Sequence, residues 1–360
     1  MKKLNIPFLF IFSILFFVST FSFSQDVEEM QLIGEEKLET KNYPTDHFLL
    51  DKNGAFISAA PFTTPKQQQQ EIEIKGKKII VDWFLNAIVN FEAERIYAID
   101  PTSNWNGSNL PYNGIQIYDL EGNKVKNYLE KPTQTFERSF IISKAGNLLV
   151  ISNTSSDSTS LIKLDSNGNL LWKTYFTKKN GYRHSSDLTM KISPNGNIAI
   201  SDKEFFFSSR FFVFNGEDGR NIFTQSVSHH SRILAFNDKD LILDTGLEII
   251  HYSIYNDTFF AKKFPYQSFD TTLPSSDSTG KYFGIVGRDL TTKEDNQYSF
   301  LLFEKESDHF ILHKKITLRK YDLLKKEPTI YSTTLIHKVS IDENGIVSLF
   351  CQDNKLLKFK

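Results

Sequence analysis

Cysteine is almost absent: Cys351 is the single one in 360 residues. No intramolecular disulfide can form, and no thiol cluster can hold zinc. Methionine is scarce at 3 and glycine ordinary at 17, which excludes collagen-like and low-complexity chains. Neither sign of charge dominates, since 42 Lys and Arg face 43 Asp and Glu. A nucleic-acid binder concentrates a basic excess on one face, and no Lys/Arg-rich run exists here. Beyond the first 24 residues no apolar stretch approaches the ~20 residues of a membrane-spanning helix. Gly-x-Ser-x-Gly, His-Glu-x-x-His, the P-loop and the dinucleotide fingerprint are all missing, and nothing implies a cofactor. Cys351 itself ends the apolar run Ile346-Val347-Ser348-Leu349-Phe350-Cys351, which predicts a buried, inert thiol rather than a nucleophile.

What is present begins with an export signal. Lys2 and Lys3 precede an apolar stretch over residues 6–18, and Ser22-Phe23-Ser24 places small residues at the minus-three and minus-one positions before Gln25. That pattern predicts a signal peptide over 1–24, removed to leave a soluble, slightly acidic chain outside the cytoplasm, in the periplasm or beyond the cell. No cysteine near the cleavage point offers a lipid anchor. Aromatic content is 14%, with 33 Phe and 14 Tyr, which favours pleated, half-buried strands.

The rest of the chain repeats itself. An apolar strand, a polar turn carrying Gly and a second apolar strand recur around Gly54, Gly146, Gly196, Gly280 and Gly345, with degenerate copies at Glu94 and Asp240. The spacings are 40, 52, 50, 44, 40 and 65 residues. The shorter ones match the ~40–50 residues of a four-stranded propeller blade. A second hairpin follows within several copies, clearest at Leu161-Ile162-Lys163-Leu164-Asp165-Ser166-Asn167-Gly168-Asn169-Leu170-Leu171-Trp172. Two hairpins per repeat give strands a to d, innermost to outermost. The expectation is an all-β chain forming a single β-propeller of about seven four-stranded blades over residues 45–360. The last copy lacks a fourth strand. Within the N-terminal segment 25–44, residues 31–39 are expected to supply it and close the ring. Helical propensity is confined to residues 319–326, and residues 67–70, all Gln, read as a loop or hairpin tip.

Ser193-Pro194-Asn195-Gly196-Asn197 resembles the turn between the first two strands of WD40-like repeats, and Asp165 to Trp172 resembles the Asp…Gly…Trp turn of PQQ-like repeats. The resemblance spans roughly 45–360 and implies an exported bacterial β-propeller. Quinone-dependent members of the PQQ-like class repeat the docking Trp in most blades. Here only Trp172 fits, with Trp83 and Trp105 in other contexts, so the resemblance does not extend to quinone binding.

Strand order places candidate site residues on one face. The d-to-a and b-to-c connections ring one mouth of the channel, and the Gly turns ring the other. Arg138, Arg183, His184, His229, His230 and Arg232 precede a strands, while Asp100, Asp202 and Asp244 follow b strands. A cationic cluster of this kind suits an anion held by Arg, with His as acid or base. The same charges also suit mutual neutralisation, and the three Asp residues offer oxygen ligands to a hard metal. The insertion over 101–113 carries Trp105, Tyr112 and four Asn, a composition suited to carbohydrate or protein contact and equally to an ordered loop. The leading expectation is a non-catalytic, monomeric binding or scaffold protein presenting this face to a protein or glycan. The alternative is a hydrolase or lyase acting on an acidic sugar or lactone.

Overall fold

The computed structural model describes residues 27–360 except 38–46, 53–55, 61–68, 83, 85, 100–113, 130–134, 154–157, 178–187, 205–207, 228–230, 246–248, 256–257, 264–265, 269–274, 278, 290–297, 307–308, 330–331 and 353–354. The expected signal peptide and the 101–113 insertion lie outside these. No helix among the described residues is long and apolar enough to cross a membrane.

Turn chemistry builds the hairpins. Ser143 and Ser193 accept, through Oγ, from the N–H groups of Asn147 (3.1 Å) and Asn197 (3.0 Å). Asn237, Asp277 and Asp342 accept through Oδ1 from Asp240 (3.1 Å), Tyr282 (2.7 Å) and Ile346 (2.9 Å). In the second hairpins Asp119 and Asp165 take the N–H groups of Asn123 and Asn169 at 2.8 Å. One short polar side chain thus satisfies an N–H that the tight turn leaves out of the ladder. This is why the repeat reads as Ser, Asn or Asp followed a few residues later by Gly. In the two degenerate copies the residue at positive φ is Glu94 (52°) and Asp238 (68°), so the fifth turn centres two residues before Asp240.

Among the described residues these hairpins assemble into six sheets of four or more strands. The first holds Asn86–Asn90, Arg95–Ile99, Ile115–Tyr118 and Lys124–Tyr128, with His47–Asp51 and Phe56–Ala60 added at its inner edge. The second is Thr135–Ile142, Leu148–Asn153, Ser158–Leu164 and Leu170–Thr177, and the third Thr189–Ile192, Ile198–Glu204, Ser208–Phe214 and Asn221–Val227. The fourth is Arg232–Phe236, Asp240–Asp244, Ile249–Tyr255 and Thr258–Lys263. The fifth is built on Tyr282–Asp289, Ser299–Glu306 and His309–Thr317, with Tyr266–Ser268 and Ser275–Ser276 inside them. The sixth is Ile336–Ile341, Val347–Cys351 and Lys355–Phe359, completed by Leu32–Lys37. Leu32–Lys37 runs antiparallel to Lys355–Phe359, with Glu35 opposite Leu357, so the chain's two ends share one blade.

The architecture is a single β-propeller of six blades, not about seven. The copy around Gly54 explains the difference. Its strand His47–Asp51 pairs in parallel with the inner strand of the next repeat, Leu50 against Ile88 and Asp51 against Val89. Among the described residues the hairpin that follows, Gln69–Ile74 with Lys77–Asp82, pairs only with itself. Its two halves therefore never join as one sheet. Gln69 and Gln70 belong to that hairpin's first strand, and Gln70 is buried. The helical window at 319–326 shrinks to one 3-10 turn, Leu318–Tyr321, before the strand Leu324–Thr329.

Burial falls from the middle of each blade to its edge. Asp240–Asp244 and Val347–Cys351 are buried throughout, whereas the outer strand Asn221–Val227 buries only Phe223 and Val227. Each fully buried large apolar side chain contributes about 1.5–3 kcal/mol. Outer strands bulge near their first residues, just after the second turn at Val125, Leu171 and Ile222 and at Ile33 of the N-terminal strand, so that all four drop out of the pairing and stand 42–53% exposed. A bulge bends the open edge away from edge-to-edge pairing. Neighbouring blades meet through glycine. A Cβ on Gly219 (φ +74°) would lie 2.7 Å from Cε3 of Trp172 in the preceding blade, and one on Gly280 (φ +72°) would lie 2.7 Å from the Phe236 carbonyl oxygen. Trp172 is thus a seam residue. Cys351 is buried in the core shared by the fifth and sixth blades.

Candidate functional site

Strand register fixes the described part of the loop-bearing mouth. Arg232 opens the inner strand of the fourth blade and Asp244 closes its neighbour, and the two stand opposite each other. Arg232 donates to one carboxylate oxygen, Oδ2, from Nε (3.2 Å) and Nη2 (2.7 Å). The Asp244 side chain is closed off from solvent, while Arg232 is 29% exposed. Next to this pair the third and fourth blades are tied together. The Thr189 and Ser201 hydroxyls meet at 2.6 Å, and the Ile233 N–H donates to Thr189 Oγ1 at 3.0 Å.

Of the other sequence candidates, Asp202 is buried on Ile198–Glu204, opposite Arg210. Arg138 lies on Thr135–Ile142 where the pairing shifts register, and only its backbone is described. Asp100, Arg183, His184, His229 and His230 lie outside the described residues. The structure therefore brings together one cation and one anion of the expected cluster, and Arg232 is a paired residue rather than a loop charge. Among the described residues no group of three or more His, Cys, Asp or Glu is placed to hold a metal ion.

Three polar groupings went unnoticed in the sequence. The first is at the other end of the channel, where the inner strands run into their turns. A cavity of about 140 Å3 lies there, walled by Ile88, Ile141, Ile192 and Phe236. Lys191 enters it and donates from Nζ to Ser276 Oγ at 2.6 Å. Burial pushes the ammonium down to about 8, with Asp277 pulling it back up and Arg232 adding to the depression. Burial pushes the Asp277 carboxyl up, against hydrogen bonds from Thr279 and Tyr282 and the charge of Lys191. The sequence signal was a lysine inside an apolar inner strand, Thr189-Met190-Lys191-Ile192.

The second is Asp240 with His251 and Ser253. His251 Nε2 lies 2.7 Å from Asp240 Oδ1, and the Ser253 hydroxyl donates to the same oxygen at 2.7 Å. Burial raises the Asp240 carboxyl, but these partners hold it below the usual range. A nucleophile relay passes the serine proton to His and uses the other ring nitrogen to reach the acid. Here serine and imidazole share one acid oxygen through the same side of the ring, so the group is a structural clamp.

The third is Glu304, which takes Lys281 (2.9 Å) and the Tyr282 hydroxyl (3.1 Å) on Oε1 and His313 Nδ1 (3.2 Å) on its other oxygen. Burial pushes Glu304 up, and Lys281, Tyr282 and His313 together hold it below the usual carboxylate range.

No protein-family model matches the chain, and no curated protein is similar to it in sequence. Solved structures are similar in fold. The WD40 β-propeller domain of Doa1 aligns with a TM-score of 0.50 at 12% identity, covering 92% of this chain and 97% of that one. The Dos1 propeller gives 0.47 at 11%, covering 92% and 95%. Hsv2 of Kluyvelomyces marxianus gives 0.47 at 10%, covering 88% and 97%. At such identities the likeness concerns fold alone. The chain is a β-propeller, similar in fold to structures that include the WD40 propeller domain of Doa1.

Proposed function

We propose that this chain is an exported, non-catalytic and monomeric binding propeller that meets a protein or glycan partner through the face carrying its d-to-a and b-to-c connections. The observation that carries the reading is the Arg232–Asp244 pair. It sets a guanidinium at that mouth in fixed orientation, with two of its donors engaged and 29% of the side chain still open. A preorganised, partly exposed Arg is the group that recognises carboxylates and sulfates with direction as well as charge. The propeller fold supports the same reading, since it serves as a rigid platform for loops. The hydrolase or lyase alternative needs His184 and His230 beside two carboxylates, and both histidines lie outside the described residues.

The test is an array of acidic and neutral glycans probed with the mature chain, the Arg232→Lys variant and an Arg183→Ala/His184→Ala variant. Arg232→Lys keeps the charge and loses the planar fork. Acidic glycans should be retained by the wild type and weakened in both variants. Equal retention by all three would move the partner to another surface. Intact-mass measurement on envelope fractions should show a chain beginning at Gln25, and a full-length species in the inner membrane would sink the export part.

A further inference from the structure

The cavity at the turn-bearing end of the channel belongs to the face opposite the one just discussed. Its volume of about 140 Å3 is close to the ~150 Å3 of an apolar cavity that takes up benzene, so it suits a small molecule. Its chemistry is mixed. Ile88, Ile141, Ile192 and Phe236, from four successive inner strands, supply an aliphatic and aromatic wall. The polar lining is Lys191, which precedes Ile192, with Ser276 and Asp277 of the fifth blade, and Asp51 and Lys52 beside Ile88; Asp51 has partners of its own.

The charges there are unequally engaged. Lys52, at the rim, is held by Glu92. Both oxygens of Asp277 are occupied by its own turn, Oδ1 by the Tyr282 N–H (2.7 Å) and Oδ2 by the Thr279 N–H (2.9 Å) and hydroxyl. Lys191 carries three donors and gives one to the neutral Ser276 hydroxyl. Lys191 is half-buried, and a partly desolvated ammonium with a neutral serine as its hydrogen-bond partner is under-compensated. Its depression to about 8 by burial agrees with that geometry. An anion placed against Nζ restores the solvation that burial removed, and an apolar body attached to it covers the apolar wall.

We propose that the turn-bearing end of the channel is a binding site for a small carboxylic acid, with its carboxylate on the Lys191 ammonium beside Ser276 and its apolar body against Ile141, Ile192 and Phe236. The site is lined by none of the loop residues of the other face.

Hexanoate and benzoate serve as probes, with hexan-1-ol as the neutral isostere and hexylammonium as the opposite charge. Each is titrated into the mature chain carrying isotope-labelled Ile methyl groups. Hexanoate should shift the methyls of Ile88, Ile141 and Ile192, and hexylammonium should bind more weakly than hexanoate. Lys191→Met keeps the volume and removes the charge. It should lower hexanoate affinity about ten-fold or more, the scale of a charge-assisted hydrogen bond, and leave hexan-1-ol unchanged. Ile141→Phe, which fills the cavity and leaves Lys191 in place, should weaken hexanoate and hexan-1-ol alike and gives an independent reading should Lys191→Met fail to fold. The proposal is overturned by unshifted methyls in the wild type with both acids at about 10 mM, by equal hexanoate affinity in wild type and Lys191→Met, or by hexylammonium binding more tightly than hexanoate.

Discussion

Met30 fastens the propeller, and replacing it should loosen the ring at one seam. The segment around it is pinned at both ends. Glu28–Glu29 adds in parallel to the outer edge of the fifth blade, and Leu32–Lys37 completes the sixth. Between them Met30 is 1% exposed and packs into the core that joins Phe300, Leu302 and Ile316 of one blade to Leu349, Leu357 and Phe359 of the other. Its N–H donates to the Lys315 carbonyl (2.8 Å), while Gln31 and Lys360 exchange two bonds of 3.0 Å. Glu29 accepts from the Thr317 N–H (2.8 Å) and hydroxyl (3.0 Å). Met30→Ala removes a fully buried side chain and leaves a cavity between two blades, which costs about 2–5 kcal/mol. At about 2 °C per kcal/mol for a chain of this size, the melting temperature should fall by roughly 4–10 °C. Leu32→Ser, at an exposed position of the same segment, should change stability by about 0.5 kcal/mol or less. Thermal and urea unfolding of the mature chain and both variants supply the measurement. If Met30→Ala melts within a degree of wild type, the segment is an unattached tail and the seam is held by the blades alone.

Arg232→Ala should cost about 3 kcal/mol, the lower end for breaking a buried pair, because Asp244 stays buried while Arg232 was partly exposed. An Arg232→Ala/Asp244→Asn double variant should recover part of that loss in urea unfolding, and additive losses would mean the two side chains are uncoupled. Gly219→Ala should destabilise by more than about 1 kcal/mol, since it strains a backbone at φ +74° and drives a methyl into Trp172; near-wild-type stability would show that the Trp172 ring moves aside. Lys191 and Lys338 are both pushed down by burial, from 10.5 to about 8. The unfolded chain therefore holds these protons over a pH range where the native chain has lost them, and stability gained from them rises with pH between about 8 and 10.5. Urea midpoints at about pH 7.5 and 9.5 should show that rise in the wild type and a smaller one in Lys191→Met/Lys338→Met, and equal rises would sink it.

The blade pattern was legible because turns are local. A Ser, Asn or Asp whose side chain caps an N–H two to four residues on, followed by a residue at positive φ, needs no tertiary partner to be recognised in sequence. The apolar runs flanking Gly146 and Gly345 likewise report inner strands buried on both faces. Counting blades is a different matter, because it depends on which hairpins pair with which. The Gly54 copy carries a local signal much like the others, yet Leu50 and Asp51 pair sideways with Ile88 and Val89. Nothing within nine or ten residues of Gly54 distinguishes those outcomes. The alternation of Gln69–Ile74, with Gln70, Ile72 and Ile74 buried, was readable as a strand, but the glutamine run masked it.

The site was less legible for a reason that applies to charged residues generally. Sequence position shows which mouth of the channel a residue approaches, and Arg232 and Asp244 were placed together on that basis. It does not show whether a neighbour already satisfies the charge. Arg232 and Asp244 are twelve residues apart and directly opposite across one hairpin, so each is the other's partner before any ligand arrives. Lys191 is the converse case. Its cross-strand neighbour is Ala199, which has nothing to offer an ammonium, and help comes from the fifth blade, from the Ser276 hydroxyl 85 residues away and the charge of Asp277. A charge on an inner strand opposite an apolar residue is thus more informative than a cluster of charges in loops. In the loops water and counter-charges are at hand, whereas on the channel wall an unbalanced ammonium costs stability unless something else occupies the space in front of it.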